Sequence, residues 1–250
     1  MVKPNIHGGI NKMFESIIIV VAHRGFSAIY PENTVLSFRK AIELGVDFIE
    51  LDVRQTKDNE IIVLHDEKID RTTDGSGFVK EMTYKEIQRY DAGRWKGYSG
   101  EKIPHLKEVF EAMDSNTRIL IEIKQCDTEK LIKVIDDCNF RDRVFVGSFN
   151  LEYVKQIRNI SPEIVTSLIS SSIPENLIDL IASGIRKIDI NFNCLTKISV
   201  KNLLSRGFII NGWTPDTEED IIRTIQTGAQ FITTNRPDIL KKILSKNEEG

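Results

Sequence analysis

"FIELDVRQTKDNEIIVLHD" (Phe48–Asp66) reads as two strand-forming runs around the polar turn Lys57-Asp58-Asn59-Glu60. Its first half alternates: Ile49, Leu51 and Val53 fall on one strand face, Glu50 and Asp52 on the other. The runs 47–54 and 61–65 are about six residues apart, whereas a parallel crossover needs roughly a dozen or more. They are therefore expected to form an antiparallel hairpin, and Asp58-Asn59 supplies suitable turn chemistry. A turn centred between those two residues sets Asp52 opposite His65, on one sheet face. A slip by one residue would carry His65 to the other face.

Outward from the hairpin, further strand-like runs lie at 17–22, 118–123, 143–148, 164–168, 187–191, 207–212 and 230–234. Helical periodicity fits 33–44, 106–113, 128–138, 150–160, 174–183, 196–205, 216–227 and 236–246, with Asn33 placed to cap the first. With 61–65 set aside as a hairpin arm, eight strand–helix units remain. That is the repeat number of an α/β TIM (β/α)8 barrel. An open doubly wound sheet would also alternate, but no GxGxxG follows the first strand. Residues 66–104 form an insertion between the second strand and its helix, including a helical piece near 83–90. A loop of this length is expected to cover a functional mouth. A single domain is expected over 17–247, preceded by a loose tail, 1–16.

Lys plus Arg (34) nearly balances Asp plus Glu (37), so nothing draws the chain to nucleic acid. The N-terminal apolar run Ile17–Ala22 is too short for a signal core or a membrane span, so a cytoplasmic location is expected. Cys126, Cys138 and Cys194 match neither CxxC nor zinc-ligand spacing and read as reduced thiols. The sequence neither demands nor excludes an oligomer.

The C-terminal ends of barrel strands build the active site of this architecture. Those ends carry His23 and Arg24, then Glu50 and Asp52, then Glu122 and Lys124. Neighbouring strands lie ~4.8 Å apart, so three carboxylates converge. Uncompensated buried carboxylates repel and call for a cation. An all-oxygen set of Glu50, Asp52 and Glu122 suits one hard divalent ion, Mg²⁺ or Ca²⁺. Gly25 lets the chain turn so that both His23 and Arg24 reach one site. Two histidines, an arginine, a lysine and a carboxylate cluster suit phosphoryl-ester hydrolysis. His7 and His105 receive no role, His105 being expected to sit exposed.

The motifs "AHRG" (22–25), "PENT" (31–34), "IELDV" (49–53), "LHD" (64–66), "DRTTDGSG" (70–77), "IEIK" (121–124) and "GWT" (212–214) together resemble glycerophosphodiester phosphodiesterases, in order and over about 17–240. The resemblance implies hydrolysis of small-molecule glycerophosphodiesters to sn-glycerol 3-phosphate and an alcohol. It implies metal ligation by Glu50, Asp52 and Glu122, acid–base work by His23 and His65, and phosphate binding by Arg24 and Lys124. Trp213 resembles a tryptophan lining the substrate pocket. The attacking group, water or the substrate's own hydroxyl, stays open, as does which histidine is acid and which base. Alternatives are a lysophospholipase D or phosphatidylinositol-phospholipase-C-like enzyme, or a barrel that only binds phosphodiesters. Asn235, His105 and the segment "PDTEED" (215–220) depart from the family's usual residues, and all three are expected to lie away from the metal and acid–base set.

Overall fold

The computed structural model describes residues 18–248, so the expected tail over 1–16 lies outside the described residues. Eight parallel strands close into a barrel: β1 (Ile19–Ala22), β2 (Phe48–Gln55), β4 (Arg118–Gln125), β5 (Val144–Ser148), β6 (Val165–Ser170), β7 (Lys187–Asn191), β8 (Ile209–Trp213) and β9 (Phe231–Thr234). β1 pairs with both β2 and β9, which closes the ring. The short β3 (Ile61–Val63) pairs antiparallel with β2 only, as the hairpin arm.

Period-two alternation sorts the strand side chains into outer and inner cores. Val20, Ile49, Leu51, Val53, Ile119, Ile121 and Ile123 face outward onto the helices. They meet helices α1 (Val35–Glu43), α3 (Leu106–Ala112), α4 (Thr128–Asp137), α5 (Leu151–Ile160), α8 (Glu218–Thr227) and α9 (Pro237–Glu248). Ile188, Ile190 and Ile210 likewise meet α6 (Leu177–Ala182) and α7 (Lys197–Ser205). Inside the barrel, Val21, Phe48, Leu120, Phe145 and Phe231 form a separate plug. Its rings pack at 4.9 Å (Phe48–Phe145) and 5.7 Å (Phe48–Phe231) between centroids. Burying each of these phenyl groups contributes about 1.5–3 kcal/mol. The plug reaches the floor of the cavity at Leu120 and leaves the space above it for polar chemistry.

Beside the plug lies a polar layer. Lys187 and Asp189 of β7 form a buried ion pair, and Ser167 Oγ donates to Asp189 Oδ2 at 3.0 Å. Asn211 Nδ2 donates to Thr233 Oγ1 at 2.8 Å. A TIM barrel interior is usually filled by branched apolar chains, so this layer marks where the core gives way to the pocket.

The hairpin register differs from the sequence expectation. The pairs are Val53↔Val63, Arg54↔Ile62 and Gln55↔Ile61, one residue away from a register that sets Asp52 opposite His65. The cause is the turn. Asn59 adopts φ 64°, and Thr56 N donates to Glu60 O at 2.9 Å, so three residues rather than two form the loop. A three-residue loop with its last residue left-handed is a standard hairpin closure, and Asn tolerates that conformation. Leu64 N therefore bonds Asp52 O at 2.9 Å, and the ladder stops before His65.

Two further expectations at element ends change. Thr34, not Asn33, caps α1, in a reciprocal capping box with Ser37. His105 is not a free surface group: its Nδ1 accepts from Lys107 N at 3.2 Å as the cap of α3, and its Nε2 lies 2.6 Å from Glu60 Oε2.

Residues 64–105 leave the barrel between β3 and α3 and carry the short α2 (Tyr84–Ile87). This excursion has its own small core of Ile62, Leu64, Ile69, Val79, Ile87, Ala92 and Ile103. Lys96 Nζ bonds Ser27 O, tying the excursion to the loop after β1.

That loop depends on Gly25, at φ +81°, where an added Cβ would stand 2.6 Å from the Ser37 carbonyl carbon. Both strain and collision oppose a side chain there. Gly25→Ala is expected to cost about 1–3 kcal/mol, read as a lowered thermal midpoint. An unchanged midpoint would refute this reading of the turn.

Candidate active site

The mouth is assembled from the ends of β1, β2, β4 and β8 and the residues after β3. His23, Arg24, Glu50, His65, Glu122, Lys124 and Trp213 line one cavity of about 190 Å³. Asp52, fully buried, completes the set. The sequence alternation holds, since β2 and β4 pair with Asp52 beside Glu122 and Glu50 beside Leu120.

One carboxylate oxygen from each of Glu50, Asp52 and Glu122 lies within 4.8 Å of the others. This cluster could hold a metal ion. Burial and the neighbouring Asp52 and Glu122 push the Glu50 carboxyl well above the usual range. Burial and Asp52 push Glu122 up to about 7. For Asp52 burial acts the same way, but Arg24 and Lys124 outweigh it and hold the carboxyl low. Arg24 Nε and Lys124 Nζ stand 3.3 Å from Asp52 Oδ2 and Oδ1 respectively, while Lys124 also ion-pairs with Glu122. Burial and mutual repulsion keep two of the three carboxyls raised even with Arg24 and Lys124 beside them, so the protein's own cations do not fully offset the cluster. All the clustered donor atoms are hard oxygens, and the set therefore fits a hard cation.

Asn33 was missed by sequence reasoning. Its Nδ2 donates to Asp52 Oδ2 at 2.8 Å, from a backbone at φ 57° that turns the side chain into the barrel. The available signal was Thr34, whose Thr-x-x-Ser spacing makes it the better cap and releases Asn33 for another task.

Arg24 also takes a left-handed backbone, φ 54°, and its N–H donates to Glu50 Oε2 at 2.9 Å. That twist at Arg24 itself, next to the turn at Gly25, brings both His23 and Arg24 to the cavity. His65 arrives by another route than register. The chain leaves the ladder after Val63, and Arg54 Nε holds His65 O at 2.8 Å. Its Nδ1 lies 2.6 Å from Asp66 Oδ1. Asp66 in turn accepts from Arg71 Nε at 2.6 Å, and Arg71 grips Glu32 at 2.8 and 2.9 Å. Glu32 also accepts from Arg24 Nη1 at 2.7 Å. A continuous charged chain thus runs from His65 through the inserted segment to Arg24.

His23, 18% exposed at its side chain, has Nε2 3.9 Å from Glu50 Oε2. Burial and Arg24 lower its pKa to about 4. Burial likewise lowers that of His65. Here another expectation fails. Asn235 Oδ1 lies 2.7 Å from His23 Nδ1, so that departure from the family's residues touches the acid–base set directly. The "PDTEED" segment does too, at one remove, because its Asp216 Oδ2 accepts from Asn235 Nδ2 at 2.6 Å.

Trp213 meets Phe149 edge-to-face, 5.6 Å between centroids, and the two form an aromatic wall. Phe149, 47% exposed, is a second residue the sequence did not single out. A phenylalanine directly after the 143–148 strand run was the available signal, since strand ends face the mouth.

Comparison with known proteins shows which family the chain belongs to. Residues 23–239 match the model of the glycerophosphoryl diester phosphodiesterase family. A glycerophosphodiester phosphodiesterase of Caldanaerobacter subterraneus subsp. tengcongensis is 38% identical over 91% of this chain and 98% of its own. One from Bacillus subtilis is 32% identical over 90% of this chain and 86% of its own. Among solved structures, an Oleispira antarctica phosphodiesterase in complex with the product sn-glycerol-3-phosphate superposes with TM-score 0.86. It is 26% identical and covers 93% of this chain and 97% of its own. The chain belongs to the glycerophosphoryl diester phosphodiesterase family.

Proposed function

We propose that this protein hydrolyses small glycerophosphodiesters to sn-glycerol 3-phosphate and an alcohol. The observation that carries the reading is one cavity where two histidines, Arg24 and Lys124 surround the carboxylate cluster. It occurs in a chain whose relatives bear that enzyme's name.

Glu50, Asp52 and Glu122 would hold one divalent cation, Mg²⁺ or Ca²⁺, since all their donor atoms are hard oxygens. Such an ion supplies Lewis acidity at a phosphoryl oxygen and offsets the mutual repulsion of the carboxylates. His23 and His65 exchange protons with the attacking and departing oxygens. Arg24 and Lys124 stand where a phosphate can exchange for part of their carboxylate contacts, which places positive charge at the reacting phosphorus. Phe149 and Trp213 give the cavity an apolar wall against which substrate would pack.

In this reading residues 17–247 act as one catalytic domain and the 66–104 excursion steadies the mouth through Arg71. The free cysteines Cys126, Cys138 and Cys194 support a cytoplasmic setting. Among the described residues no helix is long and apolar enough to cross a membrane.

The test is a substrate panel: glycerophosphocholine, glycerophosphoethanolamine and a long-chain lysophosphatidylcholine, each assayed with Mg²⁺ or Ca²⁺ for release of its alcohol, together with glycerol 3-phosphate from the short diesters and lysophosphatidate from the lysolipid. Turnover of the short diesters in preference to the lysolipid is expected. Turnover of the lysolipid alone would move the assignment to a lysophospholipase D.

A further inference from the structure

We infer that Asp216, acting through Asn235, locks His23 in the tautomer that carries its proton on Nδ1 and bares Nε2 to the cavity. The order of donors and acceptors decides it. As a carboxylate, Asp216 offers only lone pairs. Its Oδ1 already accepts from Asn235 N at 2.8 Å and Thr234 Oγ1 at 3.0 Å. Its Oδ2, 2.6 Å from the Asn235 amide, therefore requires the NH2 end of that amide. The oxygen end must then face His23 Nδ1, at 2.7 Å.

Two acceptors at that distance would repel, so Nδ1 must donate. The Ser27 hydroxyl lies 2.7 Å from both His23 O and Asn235 Oδ1 and has one proton for the two oxygens, so the contacts to Asp216, not Ser27, fix the orientation of the amide. With the proton held on Nδ1, Nε2 presents a lone pair toward the cavity beside Glu50. Asn235 and Asp216 touch neither the carboxylate cluster nor the cavity, so they are positioning residues.

The fold explains why these groups meet. β9 pairs with β1, Thr234 beside Ala22, so the residue after each strand end adjoins the other. Asp216, in the loop before α8, reaches the same point by accepting from the Asn235 backbone.

The consequence for turnover rests on the phosphodiesterase reading, but the tautomer does not. The experiment follows both in the full-length protein: long-range ¹H–¹⁵N correlation of labelled histidines near pH 8, beside kcat and KM on glycerophosphocholine. Wild-type His23 is expected to show a protonated Nδ1 and a bare Nε2. In Asp216→Asn the new amide can donate, which frees Asn235 to turn over. The Nε2–H tautomer should then appear and kcat should fall about 10²-fold, with KM within about twofold. The double variant Asp216→Asn with Asn235→Asp should restore both readouts. There the amide introduced at position 216 donates to the carboxylate introduced at position 235, which still accepts from His23 Nδ1.

A protonated Nε2 in the wild type would overturn the inference without any variant. So would an Asp216→Asn protein that keeps its tautomer and kcat, or a folded double variant that recovers neither. Absence of wild-type turnover would instead count against the phosphodiesterase reading, with the tautomer still on record.

Discussion

Asp52→Ala is expected to lower kcat at least about 10³-fold, because it removes a proposed cation ligand and a counter-charge shared by Arg24 and Lys124. Asp52 receives Asn33 and stands 3.3 Å from both Arg24 and Lys124. Two opposing effects bear on stability. Removing one of three crowded carboxylates relieves repulsion, which favours the variant. Arg24 and Lys124 keep Glu32 and Glu122 as partners, but each loses its buried contact to Asp52, and a broken buried pair costs about 3–5 kcal/mol, so this effect should win. Asp52 is the one acid of the three whose carboxyl stays low without a metal, so it contributes attraction rather than strain. The variant should therefore melt earlier as well as lose turnover. Activity above a tenth of wild type, measured at saturating substrate, would remove Asp52 from the site.

The second large effect concerns chelation. Glu122 is raised from 4.5 to about 7 by burial and Asp52, so without a cation the folded protein prefers it protonated. Between those two values the folded state holds a proton that the unfolded chain has already released. Stability of the metal-free protein should then fall as pH rises through 4.5 to about 7, and stay low above it. A bound cation reverses that preference, so binding releases protons. Cation at a hundred times its dissociation constant adds about 2.7 kcal/mol. Chelated protein should lose turnover, and the gain in melting temperature on adding Mg²⁺ or Ca²⁺ should be larger at pH 7.5 than at pH 5. A gain independent of pH, or turnover that survives chelation, would contradict a carboxylate-held ion.

The legible parts of the molecule are those set by local rules. Period two placed Glu50 and Asp52 opposite Ile49 and Leu51, and the structure keeps that division between mouth and outer core. The hairpin was legible as well, since six residues cannot make a crossover. Its register was not, because one residue, Asn59, decides between loops of two and three by entering the left-handed region. His65 still lines the cavity, but by leaving the ladder rather than by facing Asp52. Asn33 was hidden by its own capping chemistry, which Thr34 satisfies better. Asn235 and Asp216 were illegible for a different reason. Their bearing on His23 comes from the β1–β9 seam, which joins positions 212 residues apart.

On the proposed reading, one mouth built on Glu50, Asp52 and Glu122 with two histidines cleaves glycerophosphodiesters. The most direct measurement is sn-glycerol 3-phosphate release from glycerophosphocholine, by wild type and by Glu122→Gln side by side, with Mg²⁺ or Ca²⁺ present. The wild type should form sn-glycerol 3-phosphate and choline in equal amounts, with Glu122→Gln slower by about 10²-fold or more. No release by the wild type, or equal release by both proteins, would contradict it.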